Sequence, residues 1–290
     1  MKFMMKAMNK ENFAVFIMVH GRPDKMWTYQ SLRVAGYTGK IYLVADNLDK
    51  TAKEYKKIYG EELIIFDKEE AALHCEAGDN SGDLRSTLYA ANKIFDLAKD
   101  KGVKYFYIMC DDYTKFWSRY DEKSNYGGGG VKNLDKVFAE VLKYYKNTTA
   151  KTIAFSQGGD WIGGKKGTLS KTREIKRKAM NTFLCSTERP FKFIGRMNED
   201  VTTYVNLGSK GDIFMTIPNI SITQLPTQQE KGGLTELYLK YGTYVKSFFS
   251  VMYNPSSIKV SSIGDVNPRI HHRVNWNNAV PKIISEKYKK

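Results

Sequence analysis

Hydrophobic residues in the first half of the chain form short continuous runs that alternate with polar stretches. Four runs have the length of a strand: residues 13–19, 41–45, 63–66 and 103–109. Runs that are apolar throughout are typical of strands buried on both faces of a parallel sheet. The stretch 24–36 is predicted to be helical. A second helix is predicted from an apolar stripe at helical spacing, formed by Leu84, Leu88, Ala91, Phe95 and Ala98. The alternation predicts an α/β fold with a mainly parallel central sheet flanked by helices.

The second half of the chain is less regular than the first. A helix over residues 134–145 and a strand over 153–156 are predicted, and glycine pairs then separate short β-like pieces. The glycine run 127–130 is interpreted as a flexible break. Because no internal repeat or linker divides the sequence, we predict one domain over residues 1–290, whose second half is a mixed α+β elaboration of the same sheet.

Charge and composition narrow the classes of partner. The 290 residues include 46 Lys and Arg against 31 Asp and Glu, a net charge of +15, and 42% are hydrophobic. The hydrophobic fraction excludes a disordered chain, and the basic excess favours polyanionic partners such as nucleic acid, anionic lipid or phosphorylated substrates. No apolar run is long enough to span a membrane, and charged residues interrupt the first one, so a cytoplasmic location without a membrane partner is expected.

The cysteines point away from structural cross-links. Cys75, Cys110 and Cys185 are odd in number and far apart. This spacing indicates neither a disulfide framework nor a zinc site, and it fits a reducing compartment.

The densest positive charge lies between residues 165 and 178, where a single acid, Glu174, stands among seven basic residues. These are Lys165, Lys166, Lys171, Arg173, Lys176, Arg177 and Lys178. Two interpretations stay open. The segment is a solvated surface, or it is a mobile arm that contacts nucleic-acid phosphates and makes binding strongly dependent on salt.

Two adjacent carboxylates, Asp111 and Asp112, follow the fourth predicted strand, at the sheet edge where ligands bind in parallel sheets. Adjacent carboxylates repel each other unless a cation or a hydrogen-bond donor satisfies them. Hard oxygen ligands suit Mg²⁺ or Mn²⁺, which often reach a protein through one or two carboxylates and substrate phosphates. We therefore predict a divalent metal site, with an Asp-rich turn as the alternative.

Other polar residues are expected at the same edge. His20 and Arg22 follow the first predicted strand, and Asp46 and Asn47 follow the second. Arg85 is predicted at the N terminus of the striped helix, where an Arg and free backbone N–H groups suit a diphosphate.

After the strand at 153–156, Gly158, Gly159 and Trp161 are candidates to line a ligand pocket. For Trp161 ordinary packing is the alternative.

The order of these segments resembles the nucleotide-sugar half of GT-A fold glycosyltransferases. Residues 107–113 resemble the Asp-x-Asp element of that fold, with Cys110 at the place of its first Asp. The resemblance implies that Asp112 is a ligand of Mn²⁺ or Mg²⁺, and that the donor is a nucleotide sugar, expected to be a UDP-sugar. It implies donor contacts by a group of residues at the sheet edge: His20, Arg22, Asp46, Asn47, Arg85, Asp111, Gly158, Gly159 and Trp161.

The second half of the chain extends the resemblance. The segment 198–200 resembles the Glu-Asp element that supplies the acceptor base, which implies a catalytic role for Glu199 or Asp200. His271 and His272 resemble the late His that completes the metal site of the fold. A donor-binding half over about 13–150 and an acceptor-binding half over about 151–285 are implied.

The sequence also resembles the phage-type group of enzymes called TET-associated glycosyltransferases. The segments that carry this similarity are 225–233, 241–246 and 269–276. The resemblance implies a hydroxymethylated base in double-stranded DNA as acceptor, expected to be 5-hydroxymethylcytosine, and no protein partner. The alternatives are a glycan or protein acceptor, a nucleotidyltransferase, and a non-catalytic DNA-binding protein.

Overall fold

The computed structural model describes residues 12–172, 179, 181–225, 235–242, 244–263 and 268–279. The strands of this part are β1 (Phe13–Met18), β2 (Lys40–Asp46), β3 (Leu63–Phe66), β4 (Tyr105–Cys110), β5 (Tyr113–Ser118), β6 (Thr152–Gln157), β7 (Thr182–Ser186), β8 (Phe214–Gln224), β9 (Ile258–Ile263) and β10 (Arg269–Val274). The α-helices are α1 (Trp27–Val34), α2 (Ala52–Tyr59), α3 (Lys68–Leu73), α4 (Leu88–Asp100), α5 (Leu134–Lys146), α6 (Thr168–Thr172), α7 (Glu199–Ser209), α8 (Thr235–Tyr241), α9 (Val245–Tyr253) and α10 (Trp276–Ala279).

A single large sheet contains β1 to β8 in the order β3-β2-β1-β4-β7-β6-β8-β5. The first four positions of this order are parallel to one another, and β6 is parallel to β8. β7 runs antiparallel to β4 and β6, and β5 runs antiparallel to β8. A mixed sheet flanked by helices confirms the predicted α/β class.

Both faces of the parallel part are buried, as continuous apolar strands require. In β1 the side chains of Phe13, Val15 and Ile17 enter one hydrophobic cluster, which includes residues of α1 and α5. The alternate side chains, Ala14 and Phe16, enter a second cluster, which includes residues of α4. The parallel part of the sheet therefore lies between two helical layers.

Several local predictions need correction. The striped helix begins at Leu88, so Leu84 and Arg85 precede α4 instead of opening it. The sequence pattern does not predict β5 or the eleven-residue β8 as strands.

The glycine run 127–130 is paired and is not a free break. Gly130 bridges to Trp117 of β5, and the Ser118 N–H donates to the Gly129 carbonyl at 2.8 Å. A Cβ at Gly128 would lie 2.2 Å from the Ser118 carbonyl oxygen, so the close approach of the two backbones requires glycine there.

The C-terminal elements pack beside the sheet. β9 and β10 form an antiparallel hairpin that contacts α9, and α9 and α10 both contact α7. In the part of the chain that the structure describes, no helix is both long and apolar enough to cross a membrane. The three cysteines are free, as the sequence predicted.

Candidate functional site

The turn after β4 is held in shape by the first turn of α1. The Thr28 N–H donates to the Asp111 carbonyl at 3.1 Å, and the Thr28 hydroxyl donates to the Cys110 carbonyl at 2.6 Å. The same hydroxyl oxygen accepts from the Tyr113 N–H at 2.9 Å. A buried threonine thus fixes both ends of the Asp-Asp pair, so the two carboxylates have defined directions.

Asp111 is committed to Arg22. The Arg22 Nη2 atom lies 2.7 Å from Asp111 Oδ1 and 2.9 Å from Oδ2, which joins the loops after β1 and β4. Burial raises the pKa of Asp111 to about 6, against the opposite effect of the Arg22 guanidinium. The predicted donor contacts of both residues stay predictions, but their pairing gives them a structural role that the sequence did not reveal.

Asp112 has one oxygen without a protein partner. Among the described residues, its Oδ1 atom is buried and accepts no hydrogen bond, whereas Oδ2 accepts from Gln224 Nε2 at 2.9 Å. Burial raises the pKa of Asp112, although the Gln224 hydrogen bond and the Arg22 charge lower it. A buried carboxylate oxygen that lacks a donor is a suitable ligand for a hard divalent cation.

The number of protein side chains available to a metal ion is small, as in sites where the substrate supplies part of the coordination. In the described ranges no three His, Cys, Asp or Glu side chains are grouped so that they could hold a metal ion. Mg²⁺ in proteins is commonly bound by one or two carboxylates together with substrate phosphates and water, and Asp112 fits this pattern.

Gln224 is a site residue that the sequence analysis missed. It is the last residue of β8, and its Oε1 atom accepts from Asn181 Nδ2 at 3.0 Å and from Gln157 Nε2 at 3.4 Å. The Leu225 N–H donates to the Asp112 carbonyl at 3.1 Å. The sequence offers little signal for Gln224, because β8 is only partly buried and its residues show no strong apolar pattern.

The ends of β1 and β2 meet in a charged cluster. Asp46 Oδ2 lies 2.9 Å from Lys68 Nζ and 3.3 Å from His20 Nδ1, and Asp46 Oδ1 accepts from the Leu48 N–H at 3.1 Å. His20 Nδ1 is also 3.8 Å from Asp49 Oδ2. Although burial alone raises the pKa of Asp46, its contacts with His20 and Lys68 lower it to about 2. Asp46 is thus engaged within the protein, and the half-exposed His20 ring is the part of the cluster that faces solvent.

Asn47 and Arg85 also have internal partners. Asn47 Oδ1 accepts from the Lys68 N–H at 3.0 Å. Arg85 binds the Asp83 carboxylate through Nε and Nη2, so its guanidinium is held by its own loop and not at a helix N terminus. Next to it, the buried Arg196 binds Asp79 Oδ2 through Nη2 at 2.6 Å.

Gly158, Gly159 and Trp161 form a short 3₁₀ turn after β6, beside Gln157 of the Gln224 network. The Trp161 side chain is buried, and its indole N–H donates to Ser156 Oγ at 3.0 Å. The structure favours the packing alternative for Trp161, because the ring is enclosed and its donor is satisfied.

Glu199 lies at the start of α7 and close to the Asp-Asp turn. Burial raises the pKa of the Cys110 thiol well above its usual range, and the charges of Asp112, Asp111 and Glu199 add to the rise. The Thr87 hydroxyl donates to Glu199 Oε1 at 2.5 Å. A carboxylate from the second half of the chain is thus bonded to Thr87, directly before α4, and its charge acts on Cys110, the last residue of β4.

Asp200 is the second carboxylate at the start of α7. Its Oδ1 atom accepts from the Val201 N–H at 2.7 Å. Burial raises the pKa of Tyr238 in α8, and the negative charges of Glu199 and Asp200 raise it further. Both carboxylates therefore act on α8.

His271 and His272, near the C-terminal end of the described residues, lie close to the start of α7. His272 Nδ1 lies 3.1 Å from Nδ2 of Asn198, the residue that precedes Glu199. The ring centroids of His271 and His272 are 4.3 Å apart. Their predicted role as metal ligands stays a prediction.

The basic segment is described only in part. Lys165, Lys166 and Lys171 are exposed on a 3₁₀ turn and on α6. The remaining predicted nucleic-acid contacts lie outside the described residues: Arg173, Lys176, Arg177 and Lys178.

Solved structures similar to this chain include several sugar transferases. Glucosyl-3-phosphoglycerate synthase from Mycobacterium tuberculosis, in complex with Mn²⁺ and UDP-glucose, is 10% identical with a TM-score of 0.47, over 94% of this chain and 90% of that chain. Mannosyl-3-phosphoglycerate synthase from Rubrobacter xylanophilus is 9% identical with a TM-score of 0.45, over 93% and 86% of the respective chains. The mannosyltransferase PcManGT from Pyrobaculum calidifontis, in complex with GDP-Man and Mn²⁺, is 10% identical with a TM-score of 0.44, over 84% and 74%.

The identification comes from the sequence family. Among curated proteins, no sequence matches this chain significantly. The family model described as TET-Associated Glycosyltransferase matches residues 13–233, more than half of the chain, and it confirms the resemblance carried by the motifs. The protein is therefore a glycosyltransferase and belongs to the TET-associated glycosyltransferase family.

Proposed function

We propose that this glycosyltransferase moves a sugar from a nucleotide-sugar donor, expected to be a UDP-sugar, to the hydroxymethyl group of 5-hydroxymethylcytosine in double-stranded DNA. The observation that carries the chemistry is the approach of two carboxylates from opposite halves of the chain. Asp112, with its unpaired oxygen, follows β4 closely, and the charge of Glu199 acts on Cys110, the last residue of that strand. We assign residues of about 13–150 to the donor and about 151–285 to the acceptor.

At the donor end the residues of the chain hold charge in place. A Mg²⁺ or Mn²⁺ ion, when bound, would act as a Lewis acid that neutralises the leaving diphosphate. Asp112 would hold this ion through its free oxygen, with either His271 or His272 as the second predicted ligand. Gln224 orients Asp112, and Arg22 keeps the neighbouring Asp111 paired, so a single carboxylate is directed at the ligand.

At the acceptor end a base is needed. Glu199 takes the proton of the acceptor hydroxyl while the oxygen of that hydroxyl bonds to the anomeric carbon of the sugar. The bond from that carbon to the diphosphate breaks, and the nucleoside diphosphate leaves with the electron pair. The Thr87 hydroxyl, bonded to Glu199 Oε1, fixes the direction of the carboxylate. We favour Glu199 over Asp200 because the charge of Glu199 acts on Cys110, directly before the Asp-Asp pair.

The DNA acceptor is supported by charge and by the family. The net charge of +15 suits a polyanion, and seven basic residues lie within 165–178. The family is named for its association with TET proteins, which agrees with a modified DNA base.

The deciding experiment offers the acceptor directly. The full chain is incubated with UDP-sugars and Mn²⁺ and with two duplexes of one sequence, one of them carrying 5-hydroxymethylcytosine. We expect mass spectrometry to find a hexose or pentose adduct on the modified duplex alone, together with release of nucleoside diphosphate. Asp112→Asn should abolish the adduct, whereas Asp96→Asn, at an exposed position of α4, should not.

Other outcomes would replace the proposal. Transfer to a glycan or protein in place of DNA would overturn the acceptor, and release of pyrophosphate would indicate a nucleotidyltransferase. Full activity of Asp112→Asn would remove Asp112 from the reaction.

A further inference from the structure

A second candidate site lies in the C-terminal part, outside the residues that the family model matches. A cavity of about 550 Å³ opens beside the ends of β9 and β10. Its walls include Ser257, Lys259, Arg273, Asn275, Trp276 and Asn277. The volume falls in the range of small-ligand sites, roughly 300–1,000 Å³.

The charge of this cavity is positive. Lys259 and Arg273 are directly opposite each other in the hairpin ladder, and both side chains are exposed. Like charges at directly opposite positions destabilise a hairpin, and a bound anion offsets the repulsion. No acidic side chain lines the cavity among the described residues. An anionic group such as a phosphate is therefore the complementary ligand.

Trp276 supplies an apolar wall next to the two cations. Its ring packs on Tyr204 of α7, with centroids 5.9 Å apart, and the indole is only partly buried. An aromatic wall, a pair of cations and the Asn275 and Asn277 amides together match the base, phosphate and polar edges of one nucleotide.

Helix α7 connects the cavity to the proposed acceptor base, because Trp276 packs on Tyr204 of this helix and Glu199 is its first residue. Arg273 directly follows His272, which contacts Asn198 at the start of α7. Tyr204, against which Trp276 packs, is five residues beyond Glu199 in the same helix.

We propose that this cavity binds one nucleotide of the acceptor DNA strand near the modified base, which rests on the proposed DNA acceptor. The phosphate lies between Lys259 and Arg273, and the base lies against Trp276. The site helps to hold an acceptor strand whose modified base is turned out of the stack toward Glu199.

The test compares matched charge changes in the full chain. Lys259→Gln/Arg273→Gln removes two charges from the cavity, and Lys53→Gln/Lys57→Gln removes two from exposed positions of α2. Binding of the 5-hydroxymethylcytosine duplex is measured by fluorescence anisotropy over a series of salt concentrations. We expect the cavity pair to weaken binding about tenfold and to reduce the salt slope by about 1, with the α2 pair close to wild type.

Trp276→Leu separates stacking from charge. Leucine keeps an apolar contact with Tyr204 but has no aromatic face, so DNA affinity should fall about 5- to 150-fold with an unchanged salt slope. The affinity for the nucleotide sugar, measured by calorimetry without DNA, should be unchanged in every variant.

The outcomes distinguish the two proposals. If wild type modifies the duplex but the cavity pair behaves like the α2 pair, the cavity assignment is wrong and the DNA acceptor stands. If the cavity pair raises the KM for the donor without changing the salt slope, the cavity serves the donor and the assignment is overturned. A wild type that neither binds nor modifies the duplex overturns both.

Discussion

Gln224 donates a hydrogen bond to Asp112 Oδ2 at 2.9 Å and so joins the end of β8 to the turn after β4. Residues 112 positions apart thereby form one unit, in which the amide satisfies one carboxylate oxygen and leaves the other for a ligand.

Removing this amide should weaken metal binding. Gln224→Ala leaves Asp112 Oδ2 without its donor, and loss of a group that orients a metal ligand typically lowers metal affinity about 10- to 100-fold. The Mn²⁺ concentration that gives half-maximal transfer should rise accordingly. Gln30→Ala, at an exposed position of α1, is the control. An unchanged Mn²⁺ dependence in Gln224→Ala would contradict the role assigned to the amide.

Neutralising the proposed base should affect the chemical step. Glu199→Gln keeps an oxygen for the Thr87 hydroxyl but cannot take a proton, so kcat should fall about 10²- to 10⁴-fold. The affinity for the nucleotide sugar, measured by calorimetry, should be nearly unchanged. Asp200→Asn is the matched comparison, and we expect a much smaller effect. The reverse ranking would assign the base to Asp200.

Breaking the Arg22–Asp111 pair should destabilise the fold. Arg22→Met leaves a buried carboxylate, which costs about 3–5 kcal/mol for a fully buried pair. Because the Arg22 side chain is 22% exposed, we expect the lower value of about 2–3 kcal/mol in urea unfolding. Arg22→Met/Asp111→Asn should recover part of this loss, since no buried charge remains. If the loss of unfolding free energy in the double variant equals the sum of the losses in Arg22→Met and Asp111→Asn, the two residues are not coupled.

The His20–Asp46 contact should make stability depend on pH. The contact with Asp46 raises the pKa of His20 above 6.5, against the burial that lowers it. A raised folded-state pKa means that this contribution is fully present below pH 6.5 and is lost as pH rises through the folded pKa. The difference in urea midpoint between wild type and His20→Gln should therefore shrink from pH 5.5 to pH 9. His74→Gln, at an exposed position, is the control, and a constant difference would refute the coupling.

Neutralising the basic segment should reduce the salt dependence of DNA binding. This prediction follows from sequence charge alone and concerns the triple variant Lys176→Gln/Arg177→Gln/Lys178→Gln. If each residue neutralises one phosphate, the slope of log K against log salt should fall by about 2.7. The control removes three exposed charges from the α5 region, at Lys132, Lys136 and Lys143. Equal slopes for the two triple variants would favour a solvated surface over a DNA-binding arm.

The α/β class and the positions of the parallel strands follow from the amino-acid sequence alone. Fully apolar runs such as 13–19 and 105–109 can be buried only between two layers, so periodicity and run length are enough to place them. The sequence also located the polar residues at the strand ends, because the edge at which parallel strands end follows from their common direction.

Tertiary structure alone decided which polar residues satisfy one another. Asp46, Asp111 and Asp112 are all aspartates near strand ends, so the sequence does not distinguish them. In the structure Lys68 binds Asp46 and Arg22 binds Asp111, whereas Asp112 keeps one oxygen without a hydrogen bond. β8 was not recognisable because an edge-side strand that is only partly buried lacks a strong apolar pattern, so Gln224 was missed with it. Contacts between residues far apart in the chain depend on sheet order and register, which local patterns do not encode.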